Sequence, residues 1–197
     1  MQKNLYLNQK FTKFINNENF EFDRSKILKI LNSDLLEDAY KTISKWQKYQ
    51  PTPLESLNKL SYELKLKNIF YKDESKRFGL KSFKALGGAY AVEKITKGRK
   101  DITVSTATAG NHGKSVAWGA KNLGLNCKIF ISGNVSETRA REMRNLNAEV
   151  IRVKGNYEDS LNVCKEESKK IIGRLFKMWH GQIMNSFQNL QWLDIRQ

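Results

Sequence analysis

Proline is nearly absent from this chain, and so is cysteine: each occurs twice in 197 residues. The cysteines, Cys127 and Cys164, form neither a metal-ligand pattern nor a disulfide framework. They read as two ordinary thiols in a reducing compartment, which points to the cytoplasm. No long apolar run is present. Residues 1–30 mix polar and apolar side chains, so the expectation is that there is no secretory signal, and no stretch approaches the length of a membrane span. Acidic residues are outnumbered: Asp and Glu total 20 against 35 Lys and Arg, a formal charge of +15. Zinc-finger, RNA-recognition and helix-turn-helix signatures are all missing.

That charge alone would admit nucleic acid as a partner. Many of the lysines, however, are interspersed with carboxylates, as from Glu158 to Lys170. Such a stretch reads as a solvated helix face. The balance is better explained by a cleft that attracts a small anion, so neither nucleic acid nor membrane is expected as a partner. Hydrophobic residues make up 40% of the chain, enough for a real core.

The apolar pattern divides the chain. Residues 1–50 read as an N-terminal helical extension, with Ala39, Ile43 and Trp46 at helical spacing between Glu37 and Tyr49. Pro51 and Pro53 mark an extended entry segment. A helix is expected from Leu57 to Leu66 and a short strand at Asn68–Tyr71. Then helices alternate with strands. Ser82–Lys97, Asn111–Leu123, Ser136–Leu146 and Tyr157–Ile171 read as helices. Ile102–Ser105, Cys127–Ile131 and Glu149–Val153 read as strands. Gly124 sits where a helix C-terminus needs a left-handed residue, and Ser136 where a helix needs an N-cap. Short apolar strands between amphipathic helices predict an α/β fold: an open, mostly parallel sheet with helices on both faces.

Two stretches carry chemistry. In Ser82-Phe83-Lys84-Ala85-Leu86-Gly87-Gly88-Ala89, a serine suited to N-capping precedes a lysine at a loop-to-helix junction. A lysine pinned by the first helical turn can point its amine into a cleft, the placement an imine-forming lysine needs. The second stretch, Thr108-Ala109-Gly110-Asn111-His112-Gly113, is a polar loop opening a helix at the carboxyl edge of the sheet. Ligands of such sheets bind at that edge, and a helix N-terminus there offers free N–H groups to an anion.

Together these stretches resemble the fold-type-II pyridoxal-phosphate enzymes. The run Lys72-Asp73-Glu74-Ser75-Lys76-Arg77-Phe78-Gly79-Leu80-Lys81-Ser82-Phe83-Lys84, with Pro51-Thr52-Pro53-Leu54 upstream and Gly110-Asn111-His112-Gly113 downstream, is similar to the diaminopropionate ammonia-lyases. The resemblance spans residues from about 48 to 172. It implies pyridoxal 5'-phosphate as cofactor, with Lys84 the lysine that condenses with its aldehyde. Phe83 flanks that lysine, and Asn111 is the asparagine that bonds the cofactor's ring hydroxyl. Thr108, Ala109, Gly110 and His112 belong to the loop that receives the carboxylate of a small amino-acid substrate. No metal is implied, and family members are usually homodimers. The activity implied is β-elimination of ammonia from 2,3-diaminopropionate, giving pyruvate and ammonia. One departure matters. The family carries an aspartate immediately before Gly-Asn-His-Gly, whereas this chain has Ala109. Ala109-Gly110-Asn111-His112 instead matches the threonine dehydratases, where the cofactor lysine itself serves as base, so a serine or threonine dehydratase is the alternative.

The texture changes at Gly173. Family members here read W-E-x-x-Q-D-x-A-W-x-x-Y, then I-P, then Gly-Tyr. The sequence given does not, but shifting its reading frame by one nucleotide, with suitable codons, restores Q-D-x-A-W, Y-E, I-P and G-Y in order. Residues 51–172 are therefore expected to be a partial catalytic region and 173–197 an out-of-frame tail. The Gly-rich phosphate loop would lie beyond the chain, making it an incomplete and inactive version of the enzyme or the product of a non-functional gene fragment.

Overall fold

The computed structural model describes residues 25, 27–28, 32–170 and 176–177. The chain divides into two compact units, residues 1–30 and 31–197. In the first, only Ser25, Ile27 and Leu28 are described, all helical. The rest of the fold concerns the second unit.

Its elements run in the following order: α1 (Ser33–Ile43), β1 (Leu54–Ser56), α2 (Asn58–Glu63), β2 (Phe70–Lys72), a 3₁₀ turn (Arg77–Gly79), α3 (Lys84–Thr96), β3 (Thr103–Ala107), α4 (Asn111–Asn122), β4 (Asn126–Ser132), α5 (Glu137–Arg144), β5 (Ala148–Val153), α6 (Tyr157–Lys170) and β6 (Phe176–Lys177). Strands β3 to β6 form a parallel sheet in the order β5-β4-β3-β6. β1 and β2 pair separately as an antiparallel ribbon.

Side chains alternate across the sheet, as a pleat requires. Val104, Cys127, Ile129, Ile131 and Val150 face one side, where Ala91 and Val92 of α3, Val116, Ala117 and Ala120 of α4, and Ala140 and Met143 of α5 complete the main core. Ala107, Phe130, Ile151 and Val153 face the other side and pack on Leu161 and Cys164 of α6. Helices thus cover both faces of a parallel sheet, the α/β architecture expected from the alternation. Among the described residues, no helix is long and apolar enough to cross a membrane.

Several boundaries differ from the sequence expectation. The first helix starts at Ser33 because the Asn32 side chain caps it, accepting from the Leu35 N–H at 2.8 Å. It ends at Ile43, so Trp46 lies beyond it and donates to Glu93 at 2.6 Å. The helix expected over Leu57–Leu66 is only Asn58–Glu63, and the strand expected at Asn68–Tyr71 is Phe70–Lys72. Ser82 is not the cap of α3. Phe83 holds that position in an αR conformation, and the Ser82 hydroxyl accepts from the Lys84 N–H at 3.2 Å. Ser136 does occupy the N-cap of α5, although its side chain makes no capping bond.

Gly124 behaves as expected. At φ +66° it follows the last turn of α4, with Gly124 N–H on the Lys121 carbonyl and Leu125 N–H on the Ala120 carbonyl. That paired arrangement closes the helix and turns the chain into β4. Of the stretch from 173 onward, Phe176 and Lys177 pair in parallel with Val104 and Ser105. The remainder of the proposed shifted tail lies outside the described residues.

Candidate active site

Lys84 opens α3 and Asn111 opens α4, so the two functional stretches sit at two helix N-termini. What brings them together is close packing between the helices. Gly88 and Gly119 make it possible: a Cβ on Gly88 would lie 2.8 Å from the Ser115 Cβ, and one on Gly119 2.8 Å from the Ala89 Cα. Ser115 is fully buried and donates from its hydroxyl to the Lys84 carbonyl at 2.7 Å. This bond ties the lysine's own backbone to the helix that bears Asn111 and His112. Sequence reasoning passed over Ser115, which looks like any helical serine.

The chain reaches Lys84 through a contorted loop. Phe78 (φ +49°), Gly79 (φ +73°) and Lys81 (φ +57°) are all left-handed, a region unfavourable for phenylalanine and lysine. Two clusters hold this shape. In the first, Arg77, only 2% exposed, bonds Glu74 through Nε and Nη2 at 2.8 Å each, Thr52 Oγ1 at 2.9 Å and the Gln50 carbonyl at 3.1 Å. Thr52 also donates to Glu74. The Glu74 carboxyl is held below its ordinary range: burial pushes it up, but the bonds from Arg77 and Thr52 outweigh that. In the second cluster, the Phe78 ring packs on Trp118 of α4 at 4.6 Å and on Trp46 at 5.8 Å. The motif's Lys72 donates to the Thr52 carbonyl at 2.9 Å.

The Lys84 side chain is half-buried, with Nζ 5.2 Å from the centre of the partly exposed Phe83 ring. On the facing loop, Thr108 is buried and its N–H donates to the Phe130 carbonyl at 3.0 Å, extending β3's hold on β4. Ala109 packs against the main core. Gly110 is the N-cap of α4, with no side-chain cap and open space where a Cβ would stand. Asn111 is exposed, whereas His112 is half-buried. Burial first, and the nearby Lys84 charge second, push the His112 imidazole down to about 4. It is therefore neutral at pH 7.

Beside this loop lies a cavity of about 300 Å³ lined by Ala109, Gly110, Asn111, Lys114, Arg139 and Glu142. Lys84 is not in its wall. Among the described residues no His, Cys, Asp or Glu cluster could hold a metal ion.

These features fit the aldehyde end of pyridoxal phosphate. A primary amine stands at a helix's first turn beside a neutral imidazole, an exposed asparagine is available for a ring hydroxyl, and the amides of an uncapped helix start face the same region. The phosphate end has no comparable cradle among the described residues. The paired Gly87 and Gly88 are buried within α3, and Gly88 lies against Ser115 of α4.

The pyridoxal-phosphate dependent enzyme family matches residues 45–181. Diaminopropionate ammonia-lyase of Escherichia coli K12 is 38% identical over 140 residues, covering 62% of this chain and 35% of its own length. The biosynthetic L-threonine dehydratase of Haemophilus influenzae is 35% identical over 122 residues, 61% of this chain and 23% of its own. The crystal structure of the Escherichia coli ammonia-lyase in complex with D-serine superposes with a TM-score of 0.76 at 28% identity, over 84% of this chain and 48% of that one. The chain thus spans about a third of the length of that curated ammonia-lyase and about half of the crystallised chain. On its fold, its lysine and asparagine loops and these likenesses, it belongs to the pyridoxal-phosphate dependent enzymes, in the fold-type-II class and close to the diaminopropionate ammonia-lyases.

Proposed function

We propose that this chain is the cofactor-lysine part of a pyridoxal-phosphate dependent lyase that eliminates ammonia from 2,3-diaminopropionate, giving pyruvate and ammonia. One observation carries the reading: the Ser115 hydroxyl on the Lys84 carbonyl, at 2.7 Å, locks the lysine's helix to the helix that presents Asn111 and His112. Likeness to the ammonia-lyases supports the substrate.

Lys84 would hold the cofactor through its aldehyde carbon, with Asn111 at the ring hydroxyl and Phe83 beside the amine. When bound, the cofactor supplies a ring that takes up the electron pair left by proton loss from the substrate's α-carbon. The chain's residues do the rest. The backbone N–H groups from Ala109 to His112 would receive the substrate carboxylate, the Thr108 N–H being held by the Phe130 carbonyl. His112, neutral in its buried position, adds no second positive charge beside Lys84. Ala109 offers no proton acceptor, so the Lys84 Nζ, once the substrate's α-amine has displaced it, would take the α-proton.

That missing acceptor also favours a second reading, a serine or threonine dehydratase, and the Haemophilus influenzae relative supports it. An inactive fragment product is the third.

The test is reductive trapping. The purified chain is mixed with pyridoxal phosphate, reduced with borohydride, and mapped by peptide mass. Label concentrated on Lys84, and lost in Lys84→Ala, is the expected result. Label spread evenly over the lysines and unchanged in Lys84→Ala would defeat the cofactor assignment. Turnover of 2,3-diaminopropionate against serine and threonine then separates the two enzyme readings, and no turnover of any of them marks the inactive fragment.

A further inference from the structure

We propose that Glu142 is a substrate-recognition residue: its carboxylate binds the side-chain ammonium of a diamino acid seated in the cavity beside the 109–111 loop. The proposal rests on the reading above, in which that loop takes the substrate's carboxylate.

The cavity, at about 300 Å³, lies at the small end of ligand pockets, a size suited to an amino acid. Among the described residues its wall holds two cations, Lys114 and Arg139, and one anion, Glu142. Lys114 stands one turn along α4 from Asn111. Arg139 and Glu142 are three residues apart on α5 and share a face of that helix. All three charges therefore converge on the space next to the Gly110-Asn111 start of α4.

The existing pairing is loose. Lys114 Nζ lies 3.3 Å from Glu142 Oε2, longer than the roughly 2.7–2.9 Å of a strong charge-assisted bond. The Glu142 side chain is 49% exposed and Lys114 16% exposed. On the half-exposed Glu142 side the pair is screened by solvent. A diamino acid can replace it on both sides: its carboxylate, on the loop amides, also faces Lys114 and Arg139, and its side-chain ammonium meets Glu142. Serine and threonine carry an α-ammonium too, but once that amine is committed elsewhere their side-chain hydroxyl brings no charge for Glu142, whereas a diamino acid keeps one. In this cavity the position of Ala109 contributes a methyl group, so among the described residues the one carboxylate in the wall comes from α5. Glu142 thus supplies the discrimination between a diamino acid and a hydroxy amino acid.

Calorimetric titration of the chain with Nα-acetyl-2,3-diaminopropionate and, separately, N-acetylserine, whose capped α-amines leave only the side chain to meet Glu142, tests this, using the unmodified chain, Glu142→Gln and Lys114→Gln. Loss of one charged contact is expected to weaken the diaminopropionate ligand about tenfold in Glu142→Gln and leave N-acetylserine unchanged, a difference of about 1.4 kcal/mol. Lys114→Gln is expected to weaken both. An unmodified chain that fails to prefer the diaminopropionate ligand, or a Glu142→Gln effect equal for both ligands or absent, overturns the proposal. The Lys84 trapping result keeps the two ideas apart. Specific label with no Glu142 effect leaves the cofactor reading standing and removes Glu142. A Glu142-dependent preference without specific label keeps the amino-acid cavity and removes the cofactor lysine.

Discussion

The two helix starts that make the site are held in opposite ways. The approach to α3 is polar and contorted. Arg77, Glu74 and Thr52 knit it together, and Phe78, Gly79 and Lys81 are left-handed. The approach to α4 comes directly off the buried strand β3, and its first turn is set by contact. A Cβ on Gly113 would lie 2.6 Å from the Met143 sulfur and 2.7 Å from the Thr108 methyl. Asn111 and His112 thus inherit the rigidity of the sheet, whereas Lys84 depends on a small charged network outside it. Between these regimes, removing a charge should disturb the first helix start, and changing a protonation state should disturb the second.

The largest expected effect is on the charged side. Arg77→Ala leaves the Glu74 carboxylate partly buried without its main partner, at a cost of about 3–5 kcal/mol. Denaturant unfolding measures it. If Arg77→Ala unfolds at the same denaturant concentration as the unmodified chain, the network is not what holds the Lys84 loop.

The next effect belongs to α4. His112 is depressed from 6.5 to about 4, so between those values the unfolded chain binds a proton that the folded chain refuses. Above pH 6.5 there is no penalty; it grows as the pH falls to about 4 and is constant below that. The full penalty is on the order of 3 kcal/mol. Unfolding free energies of the chain and of His112→Gln, measured across this window, should diverge as the pH falls. Parallel curves would show that the imidazole is not buried as described.

The smallest effect joins the two regions. Ser115→Ala removes the hydroxyl from the Lys84 carbonyl and should cost about 1 kcal/mol. It should also slow borohydride-trapped labelling of Lys84, and Ser115→Cys, a weaker donor of similar size, should recover part of that rate. Lost stability with an unchanged labelling rate would make Ser115 a packing residue and nothing more.

The sheet and its helices were legible in the sequence because β3, β4 and β5 are short apolar runs bounded by turn residues, and α4 ends in a glycine that only a left-handed position explains. The lysine and asparagine stretches could be placed at helix starts for the same reason. What stayed hidden depends on partners distant in sequence. Leu54-Glu55-Ser56 has no strand pattern of its own and is extended because Phe70–Lys72 pairs with it. Arg77 reads as one more surface cation in a basic chain, yet it is buried by residues 25 and 27 positions away. Ser82 has the right chemistry for a cap, but it follows a left-handed Lys81 and the helix begins only at Lys84, with Phe83 at the N-cap. Glu142 carries no motif, and its relevance emerges only when α5 packs beside the start of α4.

The small β1–β2 ribbon has a consequence out of proportion to its size. Its antiparallel alignment sets Leu54 opposite Lys72, and continuing outward the Asp73 N–H meets the Pro53 carbonyl at 3.0 Å. The next rung brings Thr52 to Glu74, the two groups that grip Arg77. A slip of one residue would present the wrong side chain at that rung and turn the ribbon's faces over. Three rungs of backbone pairing therefore act as a vernier, setting how far along the chain the reactive amine is delivered.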